Sequence, residues 1–583
     1  MAKRGGSAHV ATIKTKGRDG AVYTSYLLRR SYREGGKVRH ENLGNLSHLS
    51  PEIIEVIRAM LAGRRLVDVD EDFEIERSLP HGHVAAVLGV LRGLDLERLL
   101  GRERCRERDL VVAMICQRLI GPGSKLSATR RFSQTTLGDE LDLGEVTEAE
   151  LLAAMDWLFE RQDRIERTLA RRHLGSPRDG EGDGFVLYDL SSSYMEGRRC
   201  PLATLGYSRD GVKGKLQVNY GLICSPEGRP VAVQVHAGST TDSVTVPGTV
   251  TQVRERFGIE NVVFVGDRGM ITQAHAQTMK DDGVDFISAL KNVQIRSLVN
   301  AGDLQLSLFD EVNLAEITSP LFPDERLVVC RNPAVAAERA RKRAELLAAT
   351  ETELAKVKAS VESPRGRLRD ASAGQIGERA GKTVNKYKVA KHFTLTIADG
   401  TFTYQRKTEQ INHEAALDGL YAIRTTLPSS RLGAPAAVRA YKQLKMAERA
   451  FKTMKDTIEI RPIHHHLETR VRAHVFLCML AYSVAFELRH RLTELLFTDD
   501  TPLTPADPVA PATRSPSARV KAGNATTPDG YPAHTLPDLL ADLGTICRNT
   551  VRVGPAEHTF TRLTTPTPLQ ARALGLLDIK LHQ

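Results

Sequence analysis

Residues 185–190, FVLYDL, and residues 261–269, NVVFVGDRG, each carry an apolar run that closes on an aspartate, Asp189 in the first and Asp267 in the second. Short apolar runs bounded by turn-forming residues suit strands covered on both faces. Working outward, KLQVNYGLI (215–223), RPVAVQVHAG (229–238) and DFISAL (285–290) read as further strands. TVPGTVTQVRERF (245–257) and ITQAHAQTMKDDG (271–283) read as helices between them. The order is three strands, then helix, strand, helix, strand. Sequential strands pair antiparallel, and the later strand–helix–strand units add parallel neighbours.

That order predicts a ribonuclease H-like α/β core with Asp189 and Asp267 near the same end or middle of adjacent strands. A single strand-end aspartate most simply caps a turn. Two in one sheet supply the oxygen ligands that divalent magnesium prefers. A third acid comes from AAVRAYKQLKMAERAFKTMKDTIEI (436–460), read as a helix running through Glu448. Its apolar residues Leu444, Ala447, Phe451, Met454 and Ile458 advance by threes and fours, the stripe of an amphipathic helix. Tyr441, Glu448 and Lys455 are spaced seven apart and form a row beside that stripe, drifting only about 20° per step. Such a row faces a cleft at the edge of the sheet. Taken alone, Glu448 and Lys452 also fit an ordinary surface ion pair.

The rest of the chain supports several domains. It has 583 residues, 41% of them hydrophobic, and a formal net charge of +10 that favours a polyanionic partner. Residues 1–78 read as a small basic β element, with a hairpin at Gly35–Gly36, followed by a helix opened by Pro51. Residues 79–175 read as a helical DNA-binding region, the alternative being a bundle that packs against its neighbour. The core spans 184–290 and 418–495. Between them, 291–417 read as an insertion domain holding one long charged helix, a Gly/Lys/Arg-rich stretch and a strand pair. Residues 498–535, rich in Pro, Thr, Asp and Ala, read as a linker, and 536–583 as a C-terminal tail. Seven scattered cysteines without a CxxC pair predict reduced thiols in the cytoplasm. No signal peptide is expected at the N-terminus. The apolar run AHVFLCMLAYSVAFEL (473–488) reads as a buried helix too short to span a bilayer.

With Asp189, Asp267 and Glu448 go further motifs: YKQLKMAERAFKTMK (441–455), YDLSSSYMEG, GYSRDGVKGKLQVNYGL, GSTTD, VGDRGM, RPIHHHLETRVRAHVFL and, near the N-terminus, SYREGGKVRHENLG. Together these resemble the DDE transposases of bacterial insertion sequences, in the branch marked by Tyr-x2-Arg-x3-Glu-x6-Lys, and more narrowly the insertion sequence 1634 group. Tyr441, Glu448 and Lys455 stand in register with that signature. Leu444 occupies its arginine position, with Lys445 beside it.

The resemblance implies metal-dependent cleavage at transposon ends followed by strand transfer into target DNA. It implies two Mg2+ ions, with Mn2+ as a substitute, held by Asp189, Asp267 and Glu448. Tyr441, Lys445, Lys452, Lys455 and Arg268 are expected against double-stranded DNA, both terminal inverted repeats and target, in a homodimeric synaptic complex away from membranes. The competing readings are a ribonuclease H-like nuclease or resolvase without strand transfer, and a domesticated DNA-binding protein. His464, His465 and His466 are expected to face phosphate or cap a helix, since adjacent histidines point apart and suit tetrahedral zinc poorly. Asp210 with Gly211 reads as a turn, and Glu196 and Asp242 as loop acids near the core.

Overall fold

Eight strands of the larger part of the chain form one mixed sheet: β1 (Gly184–Tyr194), β2 (Gln217–Cys224), β3 (Pro230–Ala237), β4 (Val262–Gly266), β5 (Asp285–Ala289), β6 (Leu314–Ile317), β7 (Arg326–Arg331) and β8 (Leu420–Thr425). This computed structural model describes all residues except 1–6, 65–72, 175–183, 310–311, 500–501, 504–506, 554–557 and 582–583. Strand order is β6-β7-β8-β5-β4-β1-β2-β3. β1 runs antiparallel to β2 and parallel to β4, and β4 runs parallel to β5. The remaining neighbours are antiparallel. The mixed α/β arrangement of β1–β5 is consistent with the ribonuclease H-like core read from the sequence.

One difference lies at Asp189. β1 does not end there but continues to Tyr194, pairing with β2 throughout. The polar run Ser191–Ser193 stays in the strand because its buried hydroxyls find partners. Ser192 Oγ accepts the Arg209 N–H at 2.8 Å, and Ser193 Oγ meets the Tyr220 hydroxyl at 3.1 Å.

Residues 80–174 are helical, as read, but do not stand apart from the sheet. Helix Arg106–Ile120 buries Leu110 through Leu119 on every side, so it needs neighbours all round. Those neighbours include helix Glu148–Glu160 and helix Glu468–Arg491, which also covers β3. The bundle and the sheet share one hydrophobic core. Helix Gln162–His173 is pinned to β3 by the buried Glu166 carboxylate, which accepts the Val233 N–H at 3.1 Å and ion-pairs with Arg256. Helix Glu468–Arg491 is longer than its apolar run suggests. By length and composition it could cross a membrane, yet 83% of its most apolar 18-residue stretch is buried within the protein.

Between β5 and β8 the chain adds β6 and β7 to the sheet edge and builds a lobe with its own core. Helices Pro333–Glu362 and Ala373–Lys386 and the hairpin Phe393–Ala398/Thr401–Arg406 enclose Leu354, Val357, Ile376, Ala380, Phe393 and Phe402. The Gly/Lys/Arg-rich stretch becomes a helix because Ile376, Ala380 and Val384 recur every fourth residue and Ser372 caps its N-terminus.

The expected linker, 498–535, departs from its reading where it is described. Helix Pro516–Asn524 is capped by Ser515, and the buried Lys521 ammonium donates to the Thr493 and Thr498 carbonyls at 2.7 and 3.0 Å. Hydrogen bonds replace the apolar contacts that its composition lacks. Residues 500–501 and 504–506 of this stretch lie outside the described residues. The expected tail is also structured. Helix Leu536–Leu543 buries four leucines and packs on helix Gly82–Gly93. A Cβ on Gly82 would come within 2.3 Å of the Leu543 carbonyl, so the close approach requires glycine.

Met1–Leu79 and Cys547–Thr565 form a second compact unit. Strands Ser7–Lys16, Val22–Glu34 and Lys37–Asn45 form an antiparallel sheet. Glu34 pairs with Lys37, leaving Gly35 and Gly36 at φ 57° and 81°, the left-handed pair that a tight hairpin turn demands. Ser50 caps helix Pro51–Leu61 through the Ile53 N–H. A second sheet joins Phe73–Pro80 to the hairpin Cys547–Val553/His558–Leu563, with Arg552 ion-paired to Glu74 and Glu76. All seven cysteines are unpaired.

Because Leu539 is fully buried, Leu539→Ala should cost about 2–5 kcal/mol of folding free energy. A lower melting temperature would be the readout, whereas a loosely attached tail would leave it unchanged.

Candidate active site

The parallel register of β1 and β4 pairs Tyr188 with Gly266. One residue further along both chains stand Asp189 and Asp267, so the two carboxylates arise at the same level of adjacent chain segments. From β5, the Ser288 hydroxyl donates to the Asp267 carbonyl at 3.1 Å and fixes the backbone beyond the end of β4. Asp189 Oδ1 accepts its neighbour's N–H, from Leu190, at 2.8 Å. Burial pushes the Asp189 carboxyl up to about 7. The Leu190 amide opposes that shift, the charges on Asp267 and Glu448 reinforce it, and Arg209 opposes it again. Asp189 therefore lies within the fields of both other acids. Among the described residues, no three His, Cys, Asp or Glu side chains are drawn together tightly enough to enclose an ion.

Glu448 comes from helix Leu444–Asp456, which lies against β1. The sequence reading treats 436–460 as one helix, but the structure breaks it at Gln443, after helix Ala434–Lys442. Leu444, Ala447, Phe451 and Met454 form the buried stripe as read. The row Tyr441–Glu448–Lys455 is not straight, since the break lies between its first two members. Tyr441 nevertheless reaches the site, and its hydroxyl donates to Asp267 Oδ1 at 3.2 Å. Burial, with the Asp267 charge, raises the pKa of that phenol well above its usual value, so it remains a donor.

Asp267, Arg268, Tyr441, Lys445 and Glu448 line a common cavity of about 320 Å³, joined by Arg339 from the long helix of the 291–417 lobe. Asp267, Arg268, Lys445 and Glu448 are exposed to solvent, whereas Asp189 is half-buried and is not part of the cavity wall. Lys452 is exposed on the same helix as Glu448 but does not line the cavity. Lys455 departs from its expected place against DNA. Its ammonium sits 2.6 Å from Asp210, a carboxylate only 1% exposed, which also ion-pairs with Arg461. Asp210 is thus a buried charge hub rather than a simple turn residue. Of the two loop acids, Glu196 pairs with Lys215 and Asp242 with Arg209.

Several wall residues escaped the sequence reading. Asn332 and Arg339 arrive from the lobe, and Val509 from the segment read as linker. That segment is held by Lys442, whose ammonium donates to the carbonyls of Pro508, Val509 and Ala510 at 2.6, 3.1 and 3.0 Å. Asn332 Nδ2 donates to the Val509 carbonyl at 3.3 Å. These contacts join residues far apart in the chain and leave no local signature.

Comparison with protein families gives two matches. Residues 196–484 match the transposase DDE domain, and residues 10–69 match the N-terminal domain of IS1634 family transposases. The first match includes Asp267 and Glu448 and begins just beyond Asp189. No curated protein matches the chain.

Asp189 ordinarily ionises near 3.8 and here near 7, so between those values the folded protein retains a proton that the unfolded chain has lost. Its contribution to stability is complete below pH 3.8 and disappears as pH rises through about 7. Metal-free wild type should therefore lose melting temperature relative to Asp189→Asn between about pH 4 and pH 7. Parallel melting profiles for the two proteins would remove the buried charge from position 189. Separately, Asp210→Ala strands two cations and should cost about 3–5 kcal/mol. Lys455→Met, which leaves Arg461 on Asp210, should cost less, and thermal melts of both variants test the order.

Proposed function

Because the chain belongs to the DDE transposases of the insertion sequence 1634 group, we propose that Asp189, Asp267 and Glu448 are the acids of its catalytic centre. The carrying observation is that Asp189 feels the charges of Asp267 and Glu448, which line a cavity together with Arg268, Arg339 and Lys445. Their donor chemistry fits hard divalent cations: all ligands are oxygen, and the Asp189 carboxyl is destabilised as an anion until positive charge arrives. These three acids would hold two Mg2+ ions, or Mn2+ in their place, which would supply charge neutralisation for the attacking and leaving oxygens of phosphodiester transfer.

The chain's own residues position the reactants. Tyr441 holds Asp267 by its hydroxyl and keeps that carboxylate oriented. Arg268, Lys445 and Arg339 receive the phosphates flanking the scissile bond, as point charges indifferent to base sequence. Lys452, exposed on the same helix, extends this basic surface. Lys455 acts through Asp210, locking the helix that carries Glu448. The insertion between β5 and β8 contributes Asn332 and Arg339 to the wall, so it shapes the space in which the DNA end lies. Cleavage frees a 3′-hydroxyl, which attacks target DNA from the same centre. The terminal repeat is read by the unit built from Met1–Leu79 and Cys547–Thr565, supported by the family match over residues 10–69. Synapsis of two ends calls for a homodimer on DNA.

Asp189→Ala, Asp267→Ala and Glu448→Ala should each lower cleavage of a labelled transposon end by roughly 10²–10³-fold or more, the scale of losing one transition-state stabiliser. Affinity for that end in a gel shift should stay near wild type, since phosphate contacts supply most of it. A variant that still cuts at the wild-type rate removes its residue from the centre.

A further inference from the structure

A second cavity, of about 470 Å³, lies between the helical bundle and the turn Arg461–His466. Its lining is rich in cations that the catalytic reading does not use: Arg118, Lys125, Arg461 and Arg470, with His465 and His474. Arg461 and Arg470 are neutralised by Asp210 and Asp156. The other two are not. Arg118 is 7% exposed and donates to the carbonyls of Ile458 and Glu459, which carry no net charge. Lys125 is also 7% exposed, and among the described residues no carboxylate or carbonyl holds its ammonium. The acids of the lining, Glu148 and Glu459, are exposed to solvent.

The histidines respond to this surplus of positive charge. His474 Nε2 donates to the Ile460 carbonyl at 2.9 Å, which leaves Nδ1 as a buried acceptor without a partner. Burial, with Arg118 and Lys125 nearby, holds His474 neutral and lowers His465 to about 3. Burial and the Arg118 charge lower Lys125 to about 7. A buried ammonium without a counter-ion is costly, and such groups are retained where a ligand supplies the missing charge.

We propose that this cavity is a binding site for a phosphate group, with Lys125 and Arg118 as its charge-bearing contacts and His474 Nδ1 as an acceptor for a phosphate hydroxyl. The group arrives either as inorganic phosphate or as a backbone phosphate of DNA. The DNA source rests on the transposase reading, and the inorganic one does not. The site is separate from the wall that carries Asp267 and Glu448, with which it shares no residue.

The test uses the whole protein, as wild type, Lys125→Met and Lys125→Arg. Calorimetric titration with inorganic phosphate near neutral pH should give saturable binding to wild type. Lys125→Met should weaken it by roughly tenfold or more, and Lys125→Arg should recover part of it. The melting temperature of Lys125→Met should not fall, because an uncompensated buried charge has been removed. In parallel, the salt dependence of binding to a transposon-end duplex is measured. A slope reduced by about 1 in Lys125→Met assigns the site to a DNA phosphate, even where inorganic phosphate alone binds too weakly to titrate. An unchanged slope with phosphate binding lost assigns it to the free anion. The proposal is overturned if phosphate binds equally to wild type and Lys125→Met, if neither phosphate binding nor the salt slope distinguishes them, or if Lys125→Met melts well below wild type. Failure of duplex binding by the wild type would count against the transposase reading and leave the phosphate titration intact as a test of this site.

Discussion

Carboxylates that approach one another in a partly buried site raise each other's free energy, and only a stiff scaffold keeps them there. In this protein the scaffold is the pairing of β1 with β4, which sets Asp189 and Asp267 at one level, and the helix that lies across β1 with Glu448. Burial, reinforced by the charges of Asp267 and Glu448, makes the Asp189 carboxyl resist ionisation. Much of the surrounding structure serves to hold that arrangement. Ser288 fixes the backbone at Asp267, Tyr441 holds its side chain, and the Asp210 hub ties the far end of the Glu448 helix to the turn after it.

The sequence revealed most where side-chain pattern and local geometry agree. Strands β1 to β5 and the two helices between them follow from apolar runs that have no other stable use than burial on both faces. The stripe Leu444–Ala447–Phe451–Met454 identified the helix that brings Glu448 to the sheet. Spacing by sevens holds for Glu448 and Lys455, which share one helix, but not for Tyr441, because the chain breaks at Gln443. Nothing near Asp210 announces that two distant cations will converge on it. The pairing is a property of the fold, made by Lys455 and Arg461 on one side and the loop before β2 on the other.

Composition misled at residues 498–535, whose few large apolar groups invited a reading as linker. That judgement treated the segment as if it had to stabilise itself. Lys442 and Lys521 show the alternative: one ammonium satisfies two or three backbone carbonyls and ties the segment to its neighbours. The 80–174 helices carry charge on their outer faces while their inner faces complete the core of the sheet domain.

The hairpin Cys547–Leu563 completes a sheet whose other strand is Phe73–Pro80, so one small unit is assembled from opposite regions of the chain. A ribosome that has made the first eighty or so residues has not yet made the strands that finish this unit, and hundreds of residues must follow first. The unit is therefore incomplete until the region between its two parts has been synthesised, and a product cut short by a nonsense codon or a frameshift within that region lacks the hairpin that completes the sheet.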